Sequence, residues 1–173
     1  MSFTVASTRV RAVDDTDLAA RVHRALLARG QTVASAESLT GGLLGGLLTA
    51  TSGSSETFRG GVVSYATDLK QRLLRVSDEV VREHGVVSAE CAEQMAAGVR
   101  DLLGGDWAVS TTGVAGPTLQ EGKPPGTVFV GLAGPAGVEV RHLHLTGDRD
   151  AVRRQTCRAA LEALLAAVAQ ATE

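Results

Sequence analysis

The sequence predicts an α/β fold: a three-layer α/β/α sandwich with a mixed sheet in a single domain. Three observations predict it. Helical apolar stripes alternate with short β-rich runs along the chain, the pattern of helices laid on both faces of a sheet. No repeat or linker divides the 173 residues, a length that fits one domain. Two late runs, 127-TVFVGLA-133 and 138-VEVRHLHL-145, are joined only by 134-GPAG-137. A four-residue connection favours an antiparallel hairpin, so the sheet is mixed rather than wholly parallel.

The elements follow in order. Residues 1–14 show no period and are expected to form a flexible arm ahead of a domain over 15–173. From Asp15, Leu18, Val22, Ala25 and Leu26 make a helical stripe, with Asp15 or Thr16 as cap and Gly30 as terminator. The run 31-QTVASA-36 reads as a strand, and residues 40–49 as a helix despite Gly41, Gly42, Gly45 and Gly46. Each of those glycines costs a helix interior roughly 1 kcal/mol relative to Ala. Close backbone packing is the expected reason for the second pair. The first pair lies in the first turn, and there open amides for an anion are an equal alternative.

A turn at 52–58 leads to a strand, 60-GGVVSYA-66, and then to helices over 68–74, 78–84 and 88–103. Cys91, Met95, Val99 and Leu102 form the buried stripe of the third, which Ser88 caps. Strand 107-WAVSTT-112 and the loop 113-GVAGPTLQEGKPPG-126 precede the hairpin. In the second hairpin strand the apolar alternation slips between Val138/Val140 and Leu143/Leu145, which predicts a bulge near Arg141. The final helix starts near Asp148 and buries Cys157, Leu161, Leu164, Leu165 and Val168.

Composition narrows the function. Hydrophobic residues make up 44% and the net charge is −2. Those values fit a packed core and lack the basic footprint of a nucleic-acid binder. The only cysteines, Cys91 and Cys157, fall on apolar helical faces and read as buried thiols, in keeping with a reducing cytoplasm. No run has the ~20 apolar residues of a membrane span, and residues 1–15 lack a signal core. Of 17 Lys and Arg, only Lys70 and Lys123 are lysine. A retained lysine matters because its amine can shed a proton where a guanidinium cannot.

Four polar stretches sit at element boundaries: 37-ESLTGG-42, 64-SYATDLK-70, 112-TGVAGP-117 and 146-TGDRDAVRR-154. Ser38, on a strand-to-helix turn, is a candidate nucleophile. The four histidines lie within predicted helices or mid-strand, so Lys70 is the base by elimination, provided burial or neighbouring cations keep it partly neutral. Tyr65, the only tyrosine, is a candidate proton relay or a group that orients the serine. Thr112 and Gly113 are candidate oxyanion donors through their amides. Arg149, Arg153 and Arg154 either grip a phosphate or form a solvated helix face.

At these four places the chain resembles the CinA C-terminal domain family, the nicotinamide mononucleotide deamidases. The resemblance rests on AESLTGG (36–42), TSGSSETFRGGVVSYATDLKQRLLRV (51–76), TTGVAGP (111–117), KPPGTVFVGLA (123–133) and GDRDAVRRQT (147–156). It implies hydrolysis of nicotinamide mononucleotide to nicotinate mononucleotide and ammonia, with the family's serine, tyrosine and lysine falling on Ser38, Tyr65 and Lys70. It implies no metal or organic cofactor, a small-molecule nucleotide as partner, and a homodimer. Many members carry a further N-terminal domain, for which this chain has no room. Under this reading the oxyanion rests on amides near Gly41–Gly42 or Thr112–Gly113. The phosphate rests on helix-end amides or on Arg149 and Arg153, and Glu37 orients Lys70 or contacts the ribose. Thr40, Ala115 and Gly116 complete the expected substrate-binding set. The chain departs from the family at TLQEG after Pro117, often richer in glycine, and at Leu39, often cysteine. A non-catalytic nucleotide-sensing or partner-docking module is the alternative reading.

Overall fold

The computed structural model describes residues 14–171. The arm expected over 1–14 therefore lies, but for Asp14, outside the described residues. The elements are α1 (Asp15–Leu27), β1 (Val33–Glu37), α2 (Leu43–Leu48), β2 (Phe58–Val63), α3 (Thr67–Leu74), α4 (Asp78–Glu83), α5 (Ala89–Leu103), β3 (Trp107–Gly113), β4 (Thr127–Gly134), β5 (Gly137–His144) and α6 (Arg149–Gln170). They form the expected sandwich around one mixed sheet of order β2-β1-β3-β4-β5. β1 pairs in parallel with β2 and β3, while β3–β4 and β4–β5 are antiparallel.

The two faces divide by residue parity. On β1 and β3, Val33, Trp107 and Val109 pack under α1, α2 and α6. Ala34, Ala36 and Ala108 pack under α3, α4 and α5. β1, β3 and β4 are buried along their whole length, as strands covered on both faces must be. Both cysteines are free and buried. Among the described residues no helix is long and apolar enough to cross a membrane.

Four details of the sequence reading change. β5 carries no bulge: its register against β4 is unbroken from Thr127↔His144 to Gly134↔Gly137. The alternation slips because the strand is covered on each face in turn. Val138 and Val140 meet the α5 side, and Leu143 and Leu145 meet the α6 side. The irregularity lies instead in β2, where Val33 faces Phe58 and Ala34 already faces Gly60, so Arg59 is the extra residue. On α5, Leu102 is 51% exposed. The i+4 steps 91, 95 and 99 continue to Leu103, which packs on the core. The cap of α1 is Asp14, whose side chain accepts from the Thr16 amide. The helix predicted from 40 begins at Leu43. Gly41 and Gly42 have φ of +59° and +94°, a left-handed turn that L side chains avoid.

Topology explains why the polar stretches meet. Glu37, the last residue of β1, is in register with Val63 of β2 and Thr111 of β3. The three parallel strands end together, so the segments that follow them share one rim of the sheet, where α/β folds place ligands.

Candidate active site

Ser38 is the first residue beyond β1. Its amide donates to the Thr111 carbonyl at 2.9 Å, which fixes the corner against β3. Lys70 enters from the second turn of α3 and is 1% exposed. Its Nζ lies 3.1 Å from Ser38 Oγ and 2.6 Å from the Ser64 carbonyl. Burial holds this amine below the ordinary lysine range, since desolvation penalises the charged form. The Ser64 carbonyl only accepts, so it takes one N–H of the amine. The lone pair of the neutral amine then lies open to the Ser38 hydroxyl. Ser64 in turn is tied to the corner, its amide donating to the Glu37 carbonyl at 2.8 Å. Ser38, Lys70 and the Ser64 carbonyl that orients the amine thus close one hydrogen-bonded ring. The stretch 64–70 was legible in the sequence; the role of the Ser64 carbonyl was not, because a backbone acceptor leaves no mark on residue identity.

Ser38 and Lys70 line a cavity of about 250 Å³ together with Tyr65, Gly113, Ala115, Gly116 and Arg149. These seven are the predicted site residues that the fold brings together. Arg149 stands at the exposed lip, donating to the Gly116 carbonyl at 2.9 Å and the Tyr65 hydroxyl at 2.8 Å. Tyr65 is 58% exposed. Its hydroxyl is engaged by Arg149 rather than by Ser38 or Lys70, so it stands at the mouth and not between those two side chains.

Six expected site residues turn out to serve the fold instead. The Glu37 carboxylate is buried and accepts from the amides of Gly42, Leu44 and Gly45 at 2.9, 3.1 and 2.7 Å. It neither orients Lys70 nor faces the cavity. It fills the amide-rich end of α2 with the protein's own anion. Because Gly42 serves Glu37 and the Gly41 amide donates to the Ser38 carbonyl, those amides are closed to a phosphate or an oxyanion. Thr40 is buried and shares a hydrogen bond of 2.8 Å with Thr111. Arg153 clamps the carbonyls of Leu39 and Thr40 at 3.2 and 2.8 Å, which satisfies its fork inside the protein. Thr112 points to the other face of the sheet, its hydroxyl donating to the Val86 carbonyl at 2.6 Å. Arg154, the third arginine of that stretch, pairs with Asp150 on the exposed side of α6 at 2.7 Å. Of the second glycine pair, expected to allow close backbone packing, Gly45 instead makes room for a side chain, since a Cβ there would lie 3.2 Å from a Glu37 carboxylate oxygen, and Gly46 has nothing within 4 Å.

The cavity also uses residues that sequence reasoning missed. Leu39, Val86, Val114 and Leu119 give it an apolar side, and Thr67 and Gln120 add polar groups. The amides of Leu39 and Ala115 have no hydrogen-bond acceptor among the described residues. A second cleft, about 330 Å³ between α1 and α6, is lined by Leu18, Arg21, Arg158 and Glu162 among others. No serine, threonine or lysine lines it.

Comparison with known proteins identifies the family of the chain. The CinA C-terminal domain family matches residues 15–168. A CinA-like protein of Frankia casuarinae is 50% identical over 137 residues, covering 79% of this chain and 32% of its own length. A putative competence-damage inducible protein of Bacillus subtilis is 45% identical over 142 residues, 82% of this chain and 34% of its own. The chain therefore spans about a third of the length of these curated relatives. Among solved structures, a CinA superfamily protein from Klebsiella pneumoniae superposes with a TM-score of 0.88 at 36% identity, covering 90% of this chain and 98% of that one. The competence/damage inducible protein CihA from Agrobacterium tumefaciens gives 0.86 at 35% identity, over 98% and 100%.

Proposed function

The chain belongs to the CinA C-terminal domain family, and from that premise we propose that it hydrolyses the carboxamide of nicotinamide mononucleotide to nicotinate mononucleotide and ammonia. The observation that carries this reading is the buried Lys70 amine 3.1 Å from Ser38 Oγ. Ser38 Oγ attacks the carboxamide carbon while Lys70 takes its proton. The tetrahedral intermediate collapses as the Lys70 ammonium returns that proton to the departing nitrogen, and ammonia leaves. Water then attacks the acyl ester, with Lys70 again as base, and frees the acid and Ser38. The Leu39 amide, next to the nucleophile, and the Ala115 amide are the donors for the oxyanion. They replace the expected Gly41–Gly42 amides, which are spent, and the expected Thr112–Gly113 amides, which lie within β3.

The cavity suits this substrate in kind. The apolar side accepts a flat pyridine ring, and the ribose phosphate extends to the lip. There Arg149 is the phosphate ligand, since it lines the cavity and Arg153 does not. We further propose a homodimer working in the cytoplasm without a cofactor.

The test is ammonia release from nicotinamide mononucleotide, with formation of nicotinate mononucleotide, alongside nicotinamide riboside. Saturable binding of nicotinamide mononucleotide without product would instead select a sensing or docking module, a role closer to the relatives' competence-damage names. Arg149→Ala is expected to raise KM for the mononucleotide about tenfold, the loss of a charge-assisted bond of ~1.4 kcal/mol. KM for the riboside, which lacks the phosphate, stays within about twofold. Equal effects on both substrates would remove Arg149 from phosphate binding.

A further inference from the structure

One residue near the cavity breaks a local rule. Residues 120–123 form a tight turn in which the Gln120 amide donates to the Lys123 carbonyl at 3.2 Å and the Lys123 amide returns to Gln120 at 2.9 Å. Both central residues are left-handed, Glu121 at φ +52° and Gly122 at +72°. Such a turn favours glycine, asparagine or aspartate, and a longer side chain there carries a conformational cost. The carboxylate of Glu121 reaches away from the turn and accepts from the amides of Val86 and Val87, both at 2.9 Å. Its receiving site is shaped for it. Gly85, at φ +75°, has no side chain where a Cβ would lie 2.3 Å from a Glu121 oxygen. Successive amides that converge on one carboxylate form an anion nest. Val86 and Gln120, on either side of this latch, both line the cavity that holds Ser38 and Lys70.

We infer that Glu121 is a positioning residue for the reaction: it latches the 117–126 loop onto the 85–87 turn and holds a fixed negative charge beside the wall that carries Lys70. The inference rests on the Ser38–Lys70 reading of the site. The groups that face Lys70 are few. From the corner and the end of β2 come the neutral Ser38 hydroxyl and Ser64 carbonyl. From α5 comes the Cys91 thiol, pushed up to about 11 by burial and hence uncharged at neutral pH. From the loop comes Glu121, whose charge favours the Lys70 ammonium against its burial. Arg149 stands across the cavity at the lip, and Lys123 lies 4.0 Å from Glu121. Glu121 is thus the carboxylate whose charge supports the ammonium formed when Lys70 takes the serine proton.

The chain has only two lysines, so lysine labelled with carbon-13 at Cε gives two side-chain resonances, and Lys70→Arg identifies its own by loss. In Glu121→Gln the Lys70 resonance is expected to titrate at lower pH than in the parent, because a supporting charge is gone while an acceptor oxygen remains. In Glu121→Asp, which keeps the charge and shortens the latch, it stays nearer the parent. The acid limb of kcat/KM moves in the same direction and order. An unchanged Lys70 titration in Glu121→Gln overturns the inference, and so does an Asp variant displaced as far as the Gln variant. The resonance reads the amine whether or not ammonia is released, so a failure of the proposed reaction and a failure of this inference give different results.

Discussion

Lys70→Arg is expected to slow ammonia release from nicotinamide mononucleotide by roughly 10²–10⁴-fold, the usual worth of a positioned general base. Ser38→Ala should lose at least as much, since no acyl-enzyme then forms. The arginine variant is the sharper test because it keeps a cation at the position. A guanidinium does not deprotonate in the working range and cannot offer a lone pair to the Ser38 hydroxyl. If Lys70 served only as a fixed positive charge, arginine would retain most of the rate. A single-turnover assay of purified Lys70→Arg that matched the parent would end its assignment as base.

The same residue links activity to stability through pH. In the parent, the rate should rise with pH as Lys70 loses its proton, and that limb lies below the ordinary value of 10.5 because burial lowers it. The sign for stability follows. Between the lowered folded value and 10.5, the unfolded chain holds a proton that the folded chain has shed. Unfolding takes up that proton, so stability rises with pH through this window. Below the window both states are protonated, and the fold bears the full cost of a buried ammonium. Lys70→Met removes that cost and loses a hydrogen bond to Ser64. It should therefore be at least as stable as the parent at low pH, with its advantage shrinking as pH rises. Urea melts at several pH values measure this. A protein that is steadier without its base would show that the site is held at the expense of the fold.

Much of this architecture was legible because it rests on periodicity. The stripes of α1, α5 and α6 and the hairpin spacing fixed layers and mixed sheet before any coordinates. That Ser38 and Lys70 meet was legible by elimination: one serine at a corner, and one lysine a helical turn past a strand exit. What stayed hidden has a common cause. Thr40, Arg153 and the Gly41–Gly42 amides are groups that bind anions and Glu37 is itself an anion, and all of them have partners here. Their partners are the protein's own backbone and side chains, which sequence alone does not pair. The Glu37 carboxylate occupies the α2 terminus, which in sequence reads as an open anion site. The reverse holds for Glu121. Only a folded chain brings the tip of the 117–126 loop to the amides of Val86 and Val87, and in sequence it is one more charge in a polar stretch. β5 misled for a third reason, since an edge strand covered on one face in its first half and on the other in its second keeps no single alternation.

Gly98→Ala is expected to destabilise the fold by about 3 kcal/mol, the upper part of the usual overpacking range. At this chain length that corresponds to a fall in Tm of roughly 6–12 °C. A Cβ on Gly98 would lie 1.9 Å from the Leu74 carbonyl oxygen, 2.7 Å from its carbon and 2.9 Å from its Cα. These are backbone atoms at the end of α3, where no rotamer change gives relief. Leu74 is fully buried, and the Val76 amide closes back on the Lys70 carbonyl at 3.1 Å. The helix end cannot swing out without lifting the core beneath it. The consequence reaches the site, because the element that must move is the one that carries Lys70. At a temperature where the variant is still folded, kcat should fall while urea and thermal melts report the packing loss. Gly46→Ala is the control. It sits in α2 with nothing within 4 Å of the added Cβ, and alanine there should stabilise by about 0.5–1 kcal/mol. If Gly98→Ala melted with the parent, α3 would be free to slide on α5. The tight crossing could not then be what holds the Lys70 amine against Ser38.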